Sequence, residues 1–156
     1  MINKVGVIGA GQMGNGIAQV FALAGYNVLL SDISRDALDN ATKVIEKNIQ
    51  RQISKEVISE EDGKSALARI ETTVGLSDFD DVDLAIEAAT ENEDIKKAIF
   101  KELSDVMKAD GIKATNTSSI SVTRLVSVTD RPEKFIGVHF MNPVPIMALV
   151  EIIRGI

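Results

Sequence analysis

Cysteine is absent from the 156 residues, which excludes disulfides, thiolate metal sites and thiol nucleophiles and is compatible with a reducing compartment. No apolar stretch approaches the ~20 residues that a membrane span requires. The N-terminus enters an apolar strand pattern almost at once, without a basic segment and an apolar h-region, so no secretory signal is expected and a cytoplasmic location follows. Basic residues are in the minority, 17 against 23 acidic, and the net charge of −6 argues against nucleic acid or an anionic membrane as partner. An anionic ligand would need a local site. There is a single histidine, no metal site is read, and neither an internal repeat nor a low-complexity linker is visible. What remains, 45% hydrophobic and 26% charged residues, is ordinary for one soluble globular domain with a good core.

The most informative segment is the first. Lys4-Val5-Gly6-Val7-Ile8 is a β-branched run suited to a buried parallel strand, and Gly9-Ala10-Gly11-Gln12-Met13-Gly14 follows it directly. Gly9 is expected to allow the tight turn, Gly11 to let the backbone approach a pyrophosphate, and Gly14 to let the following helix pack on the sheet. That helix, expected over Gly14 to Ala24, would aim free N–H groups and its positive dipole end at the phosphates. Asn27 to Ser31 makes a second apolar strand, which Asp32 closes about 20 residues beyond the glycines. Alone, three glycines would merely punctuate an α/β turn. With strand, helix, second strand and terminal acid in order they point to a dinucleotide, and Asp32, which would repel a 2′-phosphate, points to NAD(H) over NADP(H). Arg35 has two readings, a reach toward a 2′-phosphate or a solvated first-turn side chain.

Beyond Asp32, Ser34 caps an expected helix with Leu38, Ala41, Ile45 and Ile49 on one face, running to about Ile53, and Ser59 to Ala68 reads as its return arm. Ile70 to Val74 is an expected strand. An acidic turn, Asp78 to Asp81, precedes the apolar run Val82 to Ala89, read as a central strand. Ile95, Ile99, Leu103 and Val106 mark a helix ending near Gly111, and Ile112 to Asn116 reads as a strand in which Lys113 is out of pattern and is expected to snorkel to an edge. A short helix over Ser121 to Val128 and strands over Phe135 to Phe140 and Leu149 to Ile153 complete the chain. The alternation predicts an α/β fold: a Rossmann-type, doubly wound, mostly parallel sheet with a helical-hairpin excursion after the second strand.

Two further places carry chemistry. Asn116-Thr117-Ser118-Ser119 follows a strand's carboxyl end, where open α/β sheets place ligands; the same residue types also make a helix-capping cluster, and both readings stand. His139 lies near the end of another expected strand; a lone histidine is more often structural, yet an imidazole there can also serve as a general base. Glu151 is the only acid in the run Ile146 to Ile153, so if that run is buried its charge needs a partner, and His139 is the candidate.

These segments, Gly9 through Ala18, Asn116-Thr117-Ser118-Ser119, His139-Phe140-Met141-Asn142-Pro143 and Val150-Glu151, together resemble the L-3-hydroxyacyl-CoA dehydrogenases from end to end, in particular the small bacterial 3-hydroxybutyryl-CoA enzymes. The resemblance implies an NAD-binding domain over 1–156, cofactor contacts from Gly9, Ala10, Gly11, Gln12, Met13, Gly14, Asp32, Glu91, Lys96, Ser118 and Asn142, and hydride exchange between NAD(H) and an acyl-CoA. His139 would be the general acid/base, Glu151 its orienting partner, and Ser118 a donor to the substrate oxygen. The helical excursion resembles the arm that contacts CoA, with Lys55 and Asn48 at substrate-binding positions, although many relatives carry serine where Asn48 stands. For Glu91 and Lys96 a helix-start charge pair is the plainer alternative. Relatives continue into an all-helical domain that supplies a catalytic asparagine and the homodimer interface. This chain ends at Ile156, so the isolated domain is expected to lack that half and to be poorly active. Two rivals are weighed. The 6-phosphogluconate and 3-hydroxyisobutyrate dehydrogenases share the glycine pattern but use a lysine for proton transfer, and a non-catalytic NAD(H)-binding module would need no dyad.

Overall fold

A computed structural model of the protein describes residues 1–155. β1 (Lys4–Ile8) is buried from Val5 onward and feeds α1 (Gln12–Leu23) through the glycine turn. β2 (Asn27–Asp32) follows, and Ser34 then caps α2 (Arg35–Ser54) by accepting from the Ala37 N–H at 3.2 Å. α3 (Glu60–Ala68) returns along α2 and leads into β3 (Ile70–Val74), so the helical hairpin sits where the apolar spacing put it. β4 (Leu84–Glu87), α4 (Glu93–Val106), β5 (Ile112–Thr115), α5 (Val122–Val126), β6 (Phe135–Phe140) and β7 (Val150–Ile153) complete the chain.

The strands form one sheet in the order β3-β2-β1-β4-β5-β6-β7, parallel throughout except that β7 runs antiparallel to β6. This is a Rossmann-type α/β fold. The winding reverses between β1 and β4, and the crevice beyond their carboxyl ends is the place such sheets reserve for ligands. Period-2 alternation splits the apolar residues into two layers. Val7, Leu30 and Ile86 pack with Ile17, Leu38, Ile45 and Ile49 beneath α1, α2 and α3. Leu29, Ala85 and Phe135 pack with Phe100, Leu103 and Leu125 beneath α4 and α5, where the Phe100 and Phe135 rings meet edge to face at 4.7 Å.

Lys113, on β5, departs from this layering. Lys113 does not reach an edge, because β5 lies between β4 and β6 and its register sets Lys113 opposite Ala85 and Phe135 in the second layer. The side chain is wholly buried, its ammonium makes no hydrogen bond, and the nearest carboxylate oxygen, on Asp130, is 3.7 Å away. Burial, with Arg131 adding repulsion, pushes the Lys113 ammonium below the usual lysine range, only partly offset by Asp130 and Glu133. At the foot of β4, Asp83 accepts from the Lys108 ammonium and from the backbone N–H groups of Lys4 and Asn3, which together hold its carboxyl well below the usual range.

Candidate functional site

The turn after β1 is constrained by close backbone approaches. Gly9 has φ +106°, and a Cβ there would fall 2.6 Å from the Ala88 carbonyl oxygen at the end of β4. A Cβ on Gly14 would stand 1.6 Å from the Gly9 carbonyl oxygen, so Gly14 is required by the turn itself more than by the sheet beneath the helix. Gly11 faces open space and caps α1 with no side-chain bond, leaving the first-turn N–H groups of Gln12 and Met13 available to an anion. Asp32 is half-buried at the end of β2, where its two oxygens accept from the N–H groups of Ala10 and Ser34, each at 2.9 Å. A carboxylate has about four acceptor positions, so capacity remains for ribose hydroxyls. Beside it a recess of about 320 Å³ is lined by Gly9, Asp32, Ile33, Leu76, Ile95 and Glu102, mostly apolar walls with two acids, which suits the adenosine half of a dinucleotide. Arg35 is exposed and its guanidinium donates to Thr72 Oγ1 at 3.3 Å.

Across the switch point lies a network of polar side chains. Glu87, wholly buried at the end of β4, accepts from the Lys96 ammonium at 2.5 Å and from Thr115 Oγ1 at 3.0 Å. Lys96 therefore pairs with Glu87, and the alternative of a charge pair with Glu91 does not occur. Lys96 and Glu91 both line a recess of about 140 Å³ shared with Met13, Thr90 and Asn116. One oxygen of Glu91 accepts from the hydroxyls of Thr117 at 3.0 Å and Ser119 at 2.8 Å, so the two neighbours of Ser118 are held on one carboxylate. Ser118 itself is exposed. The helix cap expected in this cluster falls instead on Ser121, whose Oγ accepts from the Arg124 N–H.

The antiparallel register of β6 and β7 sets His139 directly opposite Glu151, with Nδ1 3.4 Å from Glu151 Oε2. The pair forms although the premise of burial fails: β7 is exposed along its length, and the Glu151 side chain is 52% accessible. The strand at the sheet's end has no layer packed over it among the described residues, so pairing comes from register and not from desolvation. Asn142, just past β6, accepts from Gln12 Nε2 at 3.3 Å and so touches the first turn of α1.

The family model for the NAD-binding domain of 3-hydroxyacyl-CoA dehydrogenase matches residues 4–156. The chain belongs to that family. NAD is its cofactor, in keeping with the open glycine turn and the acid at the end of β2. A 3-hydroxybutyryl-CoA dehydrogenase of Bradyrhizobium diazoefficiens is 58% identical over all 156 residues, which make up 53% of its length. The fatty acid oxidation complex subunit alpha of a Psychrobacter species is 42% identical over 99% of the chain and 21% of the larger protein. The crystal structure of the (S)-3-hydroxybutyryl-CoA dehydrogenase PaaH1 from Ralstonia eutropha superposes with TM-score 0.97 at 49% identity, covering 100% of the chain and 55% of that protein. The chain thus spans about half the length of these two 3-hydroxybutyryl-CoA dehydrogenases.

The two positions expected to contact substrate lie on the helical arm. Asn48 and Lys55, on α2 and at its end, line a groove of about 450 Å³ with Gln19, Arg51, Gln52 and the loop residues Pro143, Pro145 and Ile146. Lys55 is exposed; Asn48 donates to Oε1 of the buried Gln19 at 3.4 Å. Among the described residues no group of three or more His, Asp or Glu is placed to hold a metal, and no helix is long and apolar enough to cross a membrane. Two members of the polar network were missed by sequence reasoning, Glu87 and Thr115. A signal for Glu87 existed: an acid inside an apolar run read as a central strand demands a partner.

Proposed function

We propose that this chain is the NAD-binding and proton-transferring part of a dehydrogenase that interconverts an L-3-hydroxyacyl-CoA, 3-hydroxybutyryl-CoA foremost, and the 3-oxoacyl-CoA. The observation that carries this reading is the His139–Glu151 pair at 3.4 Å, at the carboxyl end of β6 on the ligand side of the sheet. Bound NAD supplies or accepts the hydride at C3. The chain's own residues handle the proton and the charge. A carboxylate only accepts, so Glu151 holds the proton on His139 Nδ1 and leaves the other ring nitrogen unprotonated to take the hydroxyl proton in the oxidation direction. Glu151 then stabilises the imidazolium, which returns the proton to the developing alkoxide in reduction. Ser118, exposed between two anchored hydroxyls, donates to the same substrate oxygen. Gly9, Ala10, Gly11, Gln12, Met13, Gly14 and Asp32 hold the pyrophosphate and adenosine ribose, while Glu91, Lys96 and Asn142 border the nicotinamide side. Lys55 and Asn48 in the groove of α2 contact the CoA. The complete enzyme acts as a homodimer in which a helical domain closes the site.

The test is His139→Gln, which is expected to remove most NADH oxidation by acetoacetyl-CoA, on the order of a hundredfold or more, while leaving NADH affinity nearly unchanged. Undiminished turnover would remove the assignment. A second reading, a non-catalytic NAD(H)-binding module, draws on the family match, which is to an NAD-binding domain. NADH binding without turnover, even beside a helical domain from a relative, would favour it.

A further inference from the structure

The geometry points to Asn116 as a positioning residue: its side-chain amide joins the loop that carries Ser118 to the strand that carries His139. The argument rests on the reading of Ser118 and His139 given above. β5 and β6 pair only as far as Thr115 and Gly137. Past the last paired residues no ladder bond joins them, yet His139 lies two residues on and Ser118 three. Asn116 bridges this gap. Its Oδ1 accepts from the Phe140 backbone N–H at 2.8 Å, while its own backbone N–H donates to the Glu87 carbonyl at 2.9 Å. One residue therefore ties together β4, the end of β5 and the far end of β6.

The orientation of the amide is forced. A backbone N–H only donates, so the oxygen of Asn116 must face Phe140 and the NH₂ group must face the other way. Phe140 is 7% exposed, so its N–H has little water to turn to if the acceptor is lost. His139 is next to Phe140 in β6, and Ser118 is two residues beyond Asn116. Displacing the Phe140 N–H therefore moves the imidazole relative to both Glu151 and Ser118. The loop's other anchors, Glu91 to Thr117 and Ser119 and Thr115 Oγ1 to the Thr117 N–H, fix the loop to the segment after β4 and to β5 but do not reach β6. Among the bonds described, the Asn116 amide alone joins this loop to β6.

The experiment uses the whole chain and exploits its single imidazole. Histidine ring nitrogens and the Phe140 amide are followed by ¹⁵N NMR in the parent, Asn116→Ala and Asn116→Asp, with NADH affinity measured by fluorescence. The expected result in Asn116→Ala is a shift of the imidazole tautomer away from the Nδ1–H form and faster exchange at Phe140, with NADH affinity within about twofold. Asn116→Asp, which keeps the acceptor and the shape, restores both signals. Asn116→Gln keeps the amide but moves its oxygen by one methylene and provides the same readout should the alanine variant not fold. In turnover with NADH and acetoacetyl-CoA, Asn116→Ala lowers kcat on the order of tenfold with KM little changed, as misplacement of a catalytic group does. Unchanged tautomer and exchange in both Asn116→Ala and Asn116→Gln would overturn the proposal. Absence of turnover even from the parent chain joined to the helical domain of a 3-hydroxybutyryl-CoA dehydrogenase would count against the dehydrogenase reading and leave the NMR result to decide the role of Asn116.

Discussion

Replacing Lys113 by methionine should stabilise the fold. The ammonium is wholly buried and unbonded, a situation that costs about 1–3 kcal/mol for a polar group. Its attraction to Asp130 offsets little of this, because the oxygen is 3.7 Å away on a side chain 53% exposed to water, and such contacts contribute about 0.2–1 kcal/mol. Asp130 is not orphaned by the change, since Arg131 Nε donates to it at 3.0 Å. Methionine matches the length of the stem and adds apolar surface beside its strand neighbour Phe135, so the expected gain is about 1–2 kcal/mol at neutral pH, or roughly 2–8 °C in Tm for a chain of this size. The pH dependence has a definite sign. The Lys113 ammonium is lowered in the fold relative to the unfolded chain, so its charge destabilises the protein below the folded pKa. That penalty fades as pH rises from the folded value toward about 10.4, where the unfolded chain also loses the proton. Urea unfolding of parent and variant at pH 7 and pH 10 should show the variant ahead at pH 7 and the gap narrowing at pH 10. A variant less stable than the parent at neutral pH, or a gap independent of pH, would refute the reasoning.

Other outcomes follow from single contacts. Gly14→Ala drives a Cβ into the Gly9 carbonyl oxygen and should weaken NADH binding roughly tenfold or more, as read by fluorescence titration. Asp32→Ala removes its carboxylate from the adenosine recess and should narrow the NADH over NADPH affinity ratio by about tenfold. Asp83→Ala leaves the N–H groups of Asn3 and Lys4 and the Lys108 ammonium without their acceptor and should cost about 1–3 kcal/mol near neutrality. Because the Asp83 carboxyl is held low in the fold, the parent's advantage over this variant should be full above about pH 5 and fade as pH falls below the usual carboxylate range, seen by acid denaturation. Lys55→Ala should raise KM for acetoacetyl-CoA by about two- to fivefold without changing kcat, the size of one exposed ion pair.

The parts of this fold that rest on local chemistry could be read from the residues. β1, the glycine turn and Asp32 are contiguous, and the apolar spacing of Leu38, Ala41, Ile45 and Ile49 marks α2 with no reference to the rest of the chain. Pairing between distant segments was legible only through chemistry. His139 and Glu151 could be matched because each lacked another partner, yet the burial invoked for Glu151 was wrong, since exposure depends on what packs over β7. Lys113 failed for the opposite reason: whether a strand lies inside a sheet or at its edge is set by strand order, which no stretch of β5 encodes. The Asn116 to Phe140 bond depends on where the pairing of β5 and β6 ends, beyond Thr115 and Gly137, a tertiary fact without a local signal.

The most direct test of the dehydrogenase reading is acetoacetyl-CoA-dependent oxidation of NADH, followed at the nicotinamide absorbance, by this chain alone and by the chain extended with the helical domain of a 3-hydroxybutyryl-CoA dehydrogenase. The account predicts NADH binding in both forms, slow oxidation by the chain alone, rapid oxidation by the extended form, and loss of both in His139→Gln. NADH bound by both forms but oxidised by neither, or oxidation untouched by His139→Gln, would contradict it.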